Sequence, residues 1–357
     1  MVQTSQPAGD PVSSLRRIGF LLERRMAPTY KVQAFRKAAA TALAVGPHEL
    51  ATRAAEGTLK ELPGIGKATE AVIVEALAGR VPEYLASLET DAGPLATGGE
   101  ELRARLRGDL HTHSDWSDGG SPIEEMVMTG LEVGHEYQVL TDHSPRLTVA
   151  NGLSRARLER QLEVVAAVNA HVGSGPGGST PGFRLLTGIE VDILEDGALD
   201  QDEDVLERLE VVVASVHSKL RMDPGPMTRR MVQAVRSPHV DVLGHCTGRL
   251  VTGGRGTRPQ STFDAEAVFT ACRDNGVAVE INSRPERRDP PDELITLALE
   301  IGCLFSIDSD AHAPGQLDFL DHGAARATAL GVPPERIVTT WPVEELLTWT
   351  RTRRTPG

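Results

Sequence analysis

Thiols and long apolar runs are both scarce in this chain of 357 residues. The three cysteines, Cys246, Cys272 and Cys303, stand without C-x-x-C spacing, which argues against a disulfide framework and against a thiolate zinc site. Any bound metal would have to use imidazole and carboxylate. No apolar run approaches the roughly 18 residues that cross a bilayer, so no membrane partner is expected. The opening residues, MVQTSQPAGD, form neither an apolar signal core nor an Arg-rich amphipathic helix, and a cytoplasmic location is the expectation.

A hydrophobic fraction of 40% suffices for a large core, and the length points to two domains. The net charge of −13 is unevenly spread: residues 14–90 hold 11 Lys and Arg against 8 Asp and Glu, or +3, which leaves 26 against 42, or −16, for the rest. A polyanion would therefore be gripped by the first part and repelled by the second, except where metal ions reverse the local field.

Residues 1–13 read as a polar tail. Residues 14–90 have helical periodicity, with Leu15, Ile18, Leu21 and Leu22, then Val32, Phe35, Ala38 and Ala39, then Ala68 through Leu77. Residues 91–107 read as a linker. From 108 to about 350 short apolar runs alternate with helix-like segments. The runs are Leu110–Ser114, Tyr137–Ser144, Leu185–Ile193, Val211–His217, Val240–His245, Val277–Asn282 and Leu304–His312. Seven βα units imply an α/β fold in which a parallel sheet closes into a barrel. Ile337–Trp341 is the one candidate for an eighth strand, and Gly173–Gly182 reads as a surface loop.

Parallel barrels keep their chemistry at the C-terminal ends of the strands. His111, His113, His143, Glu190, His217, His245, Asp310 and His312 fall there, and Asp118 lies in the loop after the first strand. The spacing of two in His111/His113, and again in Asp310/His312, would turn each pair toward one side of a strand. One histidine at a strand end is usually just a satisfied polar residue. Six of the eleven histidines together with three carboxylates form a ligand set, because so many buried ionisable groups are tolerable only when paired or coordinated. His48, His135, His171, His239 and His322 read as structural or surface residues.

The motifs H-T-H-S-D-W-S-D (His111–Asp118), T-D-H-S (Thr141–Ser144), G-I-E-V-D (Gly188–Asp192), S-V-H-S (Ser215–Ser218), G-H (Gly244–His245) and D-S-D-A-H (Asp308–His312) resemble those of the polymerase and histidinol phosphatase (PHP) family. The resemblance implies a distorted seven-stranded barrel and carries all nine residues named above over as metal ligands. It also implies two or three divalent ions. Ligation by histidine without thiolate suits zinc, manganese or iron. Paired ions would activate a water toward hydroxide and stabilise the attacking and leaving oxygens of a phosphoester. Glu190 is the expected bridging carboxylate, and Asp310, Arg249 and Arg284 complete the candidate catalytic set. The two arginines would hold the phosphate oxygens that face away from the metals, with Lys219 and Arg221 as further candidates. Cys246 reads as packing.

Ahead of the barrel, L-P-G-I-G-K (Leu62–Lys67) reads as a helix-hairpin-helix. Gly64, Ile65, Gly66 and Lys67 would bring backbone N–H groups and a helix N-terminus to a nucleic-acid phosphate, without regard to sequence. Together with Tyr30–Ala40 it resembles the N-terminal DNA-binding domain of family X DNA polymerases. In those enzymes a Schiff-base lysine stands where this chain has Val72, and a polymerase module occupies the place of residues 91–107. DNA is the expected partner, and the expected activity is that of a 3'-5' exonuclease, AP endonuclease or DNA-end phosphatase. The alternatives are a small-molecule phosphatase resembling histidinol phosphatase, and a non-catalytic DNA-binding protein with structural metals.

Overall fold

The computed structural model describes residues 9–172, 182–254 and 256–354; of the loop expected at Gly173–Gly182, all but the last residue lies outside them. The chain forms two compact units, one of Met1–Pro94 with Pro314–Gln316, the other of Leu95–Ala313 with Leu317–Gly357.

The first unit is all helical: α1 (Pro11–Arg24), α2 (Thr29–Val45), α3 (Pro47–Glu56), α4 (Lys67–Leu77) and α5 (Glu83–Thr90). The first helix begins within the segment read as a tail. Asp10 caps it, accepting from the Ser13 amide at 2.9 Å, and Pro11 fills the first helical position, where no N–H is needed. The periodic apolar residues converge: Leu15, Ile18, Leu21, Phe35, Ala38, Leu50, Leu59, Val72, Ile73 and Ala76 are buried. Glu23 and Arg36, 2.6 Å apart, satisfy each other within this core.

The second unit is a parallel sheet in the order β1 (Gly108–Thr112), β2 (Tyr137–Leu140), β3 (Arg184–Asp192), β4 (Val211–Ser215), β5 (Val242–Leu243), β6 (Ala278–Asn282) and β7 (Leu304–Asp308). A parallel bridge between Thr112 and Ala311 brings the last strand round to the first. The surrounding helices are α6 (Glu100–Arg105), α7 (Ile123–Glu132), α8 (Arg155–Val172), α9 (Glu203–Leu206), α10 (Pro224–Val235), α11 (Ala265–Asp274), α12 (Asp292–Ile301), α13 (Leu320–Ala329) and α14 (Val343–Arg354). Alternation along the strands sorts side chains between two cores. Val212 and Ala214 of β4 pack in one cluster with Met231 and Phe269 of the outer helices, whereas Val211 and Val213 join Tyr137, Leu186, Val242 and Ala278 in another. Leu346 and Leu347 of α14 belong to this second cluster, and Asp241 ties the helix down through Arg353 and Arg354 at 2.9 and 2.7 Å.

Ile337–Trp341 is not an eighth strand. Ile337 makes one parallel bridge to Phe305, and Val338–Thr340 then turns into a 3-10 helix. Except for β6, the strands stop earlier than their polar ends suggested, so several ligands sit on the loops just beyond them.

Candidate metal centre

The nine expected ligands come together at the C-terminal ends of the strands. Glu190, on β3, stands at the middle. Its Oε1 lies 3.2 Å from His217 Nε2 and 2.8 Å from His245 Nε2. Its Oε2 lies 3.3, 3.6 and 2.9 Å from His111 Nε2, His113 Nε2 and His143 Nδ1. Asp310 approaches His113 at 3.6 Å, and Asp118 approaches His143 and His312 at 3.4 and 3.3 Å. Four groups of donors emerge, each gathered closely enough to hold one ion: His113, Asp118, His143 and His312; His111, Glu190 and His245; His111, His113 and Asp310; His143, Glu190 and His217. Each oxygen of Glu190 thus faces a different set of histidines.

His111 and His113 follow the strand logic, one in β1 and the other one residue past it. Asp310 and His312 do not. Strand β7 ends at Asp308, and Asp310 takes a left-handed backbone with φ 52°, so a turn, rather than strand alternation, brings this pair to the site. A non-glycine residue in that region is strained and persists where its surroundings impose it.

The donors are buried but not satisfied. Among the described residues, both oxygens of Glu190, His111 Nε2, His143 Nδ1 and both ring nitrogens of His113, His217 and His245 lack any hydrogen-bond partner. Burying that many unpaired polar atoms costs far more than a fold can absorb, and their convergence on common points fits divalent metal ions. The charge balance agrees. Burial opposes ionisation of Glu190, yet His111, His217 and His143 hold its carboxyl well below the usual range. Burial likewise opposes ionisation of Asp310, and Arg287 and His111 hold it well below. Burial pushes His111 down, but Glu190, Glu280 and Asp310 outweigh it and hold the imidazole well above its ordinary value. His143 is driven down by burial and up by Glu190 and Asp118, ending at about 10. A cation entering here must displace those protons.

A second layer of groups, not recognised in the sequence, orients the ligands. Glu280, fully buried on β6, places Oε1 2.6 Å from His111 Nδ1 and accepts from the His245 amide. That turns His111 Nε2 toward the site. Asp192 sits 3.4 Å from His217 Nδ1 and accepts from the His217 amide at 3.0 Å. Asn282 donates to Asp310 Oδ2 at 3.1 Å. The Asp in G-I-E-V-D and the alternating Glu and Asn of β6 were visible signals, since polar residues inside a buried strand need partners.

The arginines divide differently from expectation. Arg249 spends its Nε on the carbonyl of Arg288 at 3.0 Å, and its Nη2 goes to the same carbonyl, so it props the loop after β6. Arg284 reaches the site, but its Nη1 is committed to the Asp310 carbonyl at 3.1 Å and lies 2.9 Å from His312 Nδ1. Arg287, which the sequence did not single out, is buried with Nε 3.0 Å from Asp310 Oδ2. Its two terminal nitrogens carry no hydrogen bond among the described residues. Lys219 and Arg221 are exposed, and Cys246 packs in the outer core.

In the helical unit, α3 ends at Glu56, a one-turn 3-10 helix covers Leu59–Glu61, and α4 starts at Lys67. Gly64 takes φ 82°, so only glycine fits without strain. The Gly66 amide donates to Thr69 Oγ1 at 2.9 Å and the Ile65 amide to the Leu62 carbonyl at 3.2 Å. Those two N–H groups are thus used internally, and the buried Ile65 side chain anchors the turn. The amides left to meet an anion are that of Gly64 and those of the first turn of α4, beginning at Lys67. Val72 lies in the core of this unit, 2% exposed.

Comparison with known proteins agrees with this division. The helix-hairpin-helix domain family matches residues 7–81 and the PHP domain family matches residues 109–284. Among curated relatives, the DNA polymerase/3'-5' exonuclease PolX of Bacillus subtilis is 38% identical over 223 residues, 62% of this chain but only 37% of that protein. The chain thus spans well under half the length of that relative. A protein named as a probable phosphatase in Caldanaerobacter subterraneus is 25% identical over 250 residues, covering 67% of this chain and 89% of its own. Among solved structures, histidinol phosphate phosphatase of Lactococcus lactis, in complex with zinc, L-histidinol and phosphate, aligns with a TM-score of 0.43 at 13% identity, over 70% of this chain and 92% of that one. The chain accordingly carries an N-terminal helix-hairpin-helix domain followed by a PHP domain.

Proposed function

We propose that this protein hydrolyses phosphoesters of DNA, as a 3'-5' exonuclease, AP endonuclease or end phosphatase, with the helix-hairpin-helix domain holding the nucleic acid. The coarser statement, that the chain is a metal-dependent hydrolase of phosphoric esters, does not depend on which ester is cut. The observation that carries it is the convergence of buried, partnerless imidazole and carboxylate atoms on Glu190.

Ions bound at these donors supply Lewis acidity toward phosphoryl oxygens and a lowered pKa for a reacting water. The chain's own residues do the rest. Glu190 holds the donor groups in one cluster, Glu280 fixes the ring orientation of His111, and Asp192 holds the His217 backbone amide. Arg284 orients His312, and Arg287 neutralises Asp310 while keeping its terminal N–H groups available to a phosphate oxygen. Support for DNA comes from the hairpin turn at Gly64–Lys67, from the basic surplus of residues 14–90 in an otherwise acidic chain, and from the similarity to PolX. A second reading, hydrolysis of a small phosphomonoester, is favoured by the coverage of the relative named as a phosphatase.

One assay panel separates them. Purified protein of measured metal content is given labelled single-stranded, nicked and abasic DNA, and histidinol phosphate, with His111→Ala as control. Cleavage of DNA that is lost in His111→Ala is expected; turnover of histidinol phosphate with no action on any DNA would refute the reading in favour of the second.

A further inference from the structure

We propose that Arg146 and Lys219 form a second anion position beside the metal centre, which takes a non-scissile phosphate of a polynucleotide strand. The proposal builds on the phosphoesterase reading and narrows its substrate class. Strands β2, β3 and β4 are neighbours, and His143, Glu190 and His217, from their ends and the loops beyond, meet within 2.9 and 3.2 Å. Arg146 follows His143 by three residues and Lys219 follows His217 by two. At no more than about 3.6 Å of chain per residue, each backbone stays within about 11 and 7 Å of that of its ligand, a gap comparable to the reach of a long side chain.

Both side chains are exposed, and neither has an ion pair or hydrogen bond among the described residues. Carboxylates are not lacking nearby, for Arg155 on α8 is drawn into contact with Asp202 and Asp204 at 3.1 and 2.6 Å. Each cation is also held on a fixed backbone. The Arg146 amide donates to Asp200 Oδ2 at 2.6 Å, and its loop returns to its origin, where the Leu153 amide donates to the His143 carbonyl at 2.7 Å. Gly152 permits that return, because a Cβ there would collide with the Ser144 carbonyl. Lys219 takes a left-handed backbone, φ 52°, between a Ser218 carbonyl that receives Arg230 Nη1 at 2.9 Å and its own carbonyl, which accepts from the Met222 amide at 2.8 Å. A lysine strained into this turn two residues after a candidate metal ligand, with its charge unpaired, has surroundings that impose its backbone position. A small monoester presents one phosphate and would leave this position idle. A nucleic-acid strand presents the next phosphate along its backbone.

The test uses the metal-loaded full chain carrying Arg146→Gln, Lys219→Asn and both; asparagine keeps the left-handed backbone acceptable. A labelled single-stranded oligonucleotide is compared with bis(p-nitrophenyl) phosphate, a diester without a neighbouring phosphate. The double variant should raise KM for the oligonucleotide at least about tenfold. It should also lower the slope of log kcat/KM against log salt by about 1.4, at roughly 0.7 per lost contact on a single strand, with the small diester unchanged. Wild-type KM and salt slope in the double variant, or equal losses on both substrates, would overturn the proposal while leaving the DNA reading intact. A wild-type enzyme active on the small diester and inactive on every DNA would sink both.

Discussion

Replacing Glu280 with glutamine tests whether the layer beneath the metal centre governs it. The carboxylate is fully buried, with Oε1 2.6 Å from His111 Nδ1 and Oε2 accepting from the His245 amide at 2.5 Å and from Asn282 Nδ2 at 3.2 Å. Glutamine keeps the shape but removes the charge, and whichever way its amide is turned, an NH2 faces at least one group that itself donates. Two ligands, His111 and His245, lose their support together. Outer-layer partners of metal-bound histidines are worth about 10- to 100-fold in affinity, or about 1.4 to 2.7 kcal/mol. The carboxylate also helps to hold His111 well above its ordinary pKa, so part of the loss appears as an altered pH dependence of metal uptake. Metal content after dialysis and a chelator competition titration measure the affinity. The temperature of unfolding of metal-free wild type and variant shows whether the fold itself suffers. A variant that keeps wild-type affinity and stoichiometry would refute the argument, as would one whose loss is matched by an equal destabilisation of the metal-free chain.

Three further outcomes follow from particular contacts. Arg287→Lys keeps a charge near Asp310 but loses the fork of N–H donors; kcat on a phosphoester should fall about tenfold or more with metal content unchanged, and an unaltered kcat would mean that Arg287 only packs. Gly64→Ala forces a left-handed alanine, with its Cβ 2.7 Å from Lys37 Cγ. The lysine can swing aside, so the strain should be about 1–2 kcal/mol, read by denaturant unfolding of the full chain, and no change would show that the turn relaxes freely. His135 is buried with both ring nitrogens unpartnered, and burial, with Arg103 nearby, pushes it down to about 3. With the folded pKa below the unfolded value near 6.5, its contribution is complete above pH 6.5 and is lost as pH falls toward 3. The slope is about 1.4 kcal/mol per pH unit for one proton. His135→Leu should remove one proton's worth of that slope in metal-free protein followed by thermal unfolding between pH 6.5 and 4; identical slopes would show that His135 protonates without opening the fold.

Much of the site was legible in one dimension because its information is local. Most of the expected ligands lie near the end of a strand-like run, and a barrel sends strand ends to one face, so knowing where the runs stop nearly suffices to gather His111, His143, His217 and His245. The helical half was legible for the same reason: its period of 3.6 places Leu15, Ile18 and Leu21 on one stripe, and those residues are buried. Where the local signal was weak the sequence decided less. Ile337–Trp341 has a strand's composition but pairs at one residue only, and the internal bond of Gly66 to Thr69 could not be foreseen from a pair of glycines.

What only the tertiary structure decided is the partnership between residues far apart in the chain. Sequence by itself set which imidazoles and carboxylates fall near strand ends and in what order, and the resemblance of its motifs to the PHP family carried the expected class of chemistry. It could not choose among Arg249, Arg284 and Arg287, three arginines on loops of one face. Which guanidinium is consumed by a backbone carbonyl and which keeps free donors depends on how the loops after β5 and β6 fold against each other. Nor could it show Glu280 beneath His111, 169 residues away, because side chains from distant strands meet only when the register of the closed barrel is set.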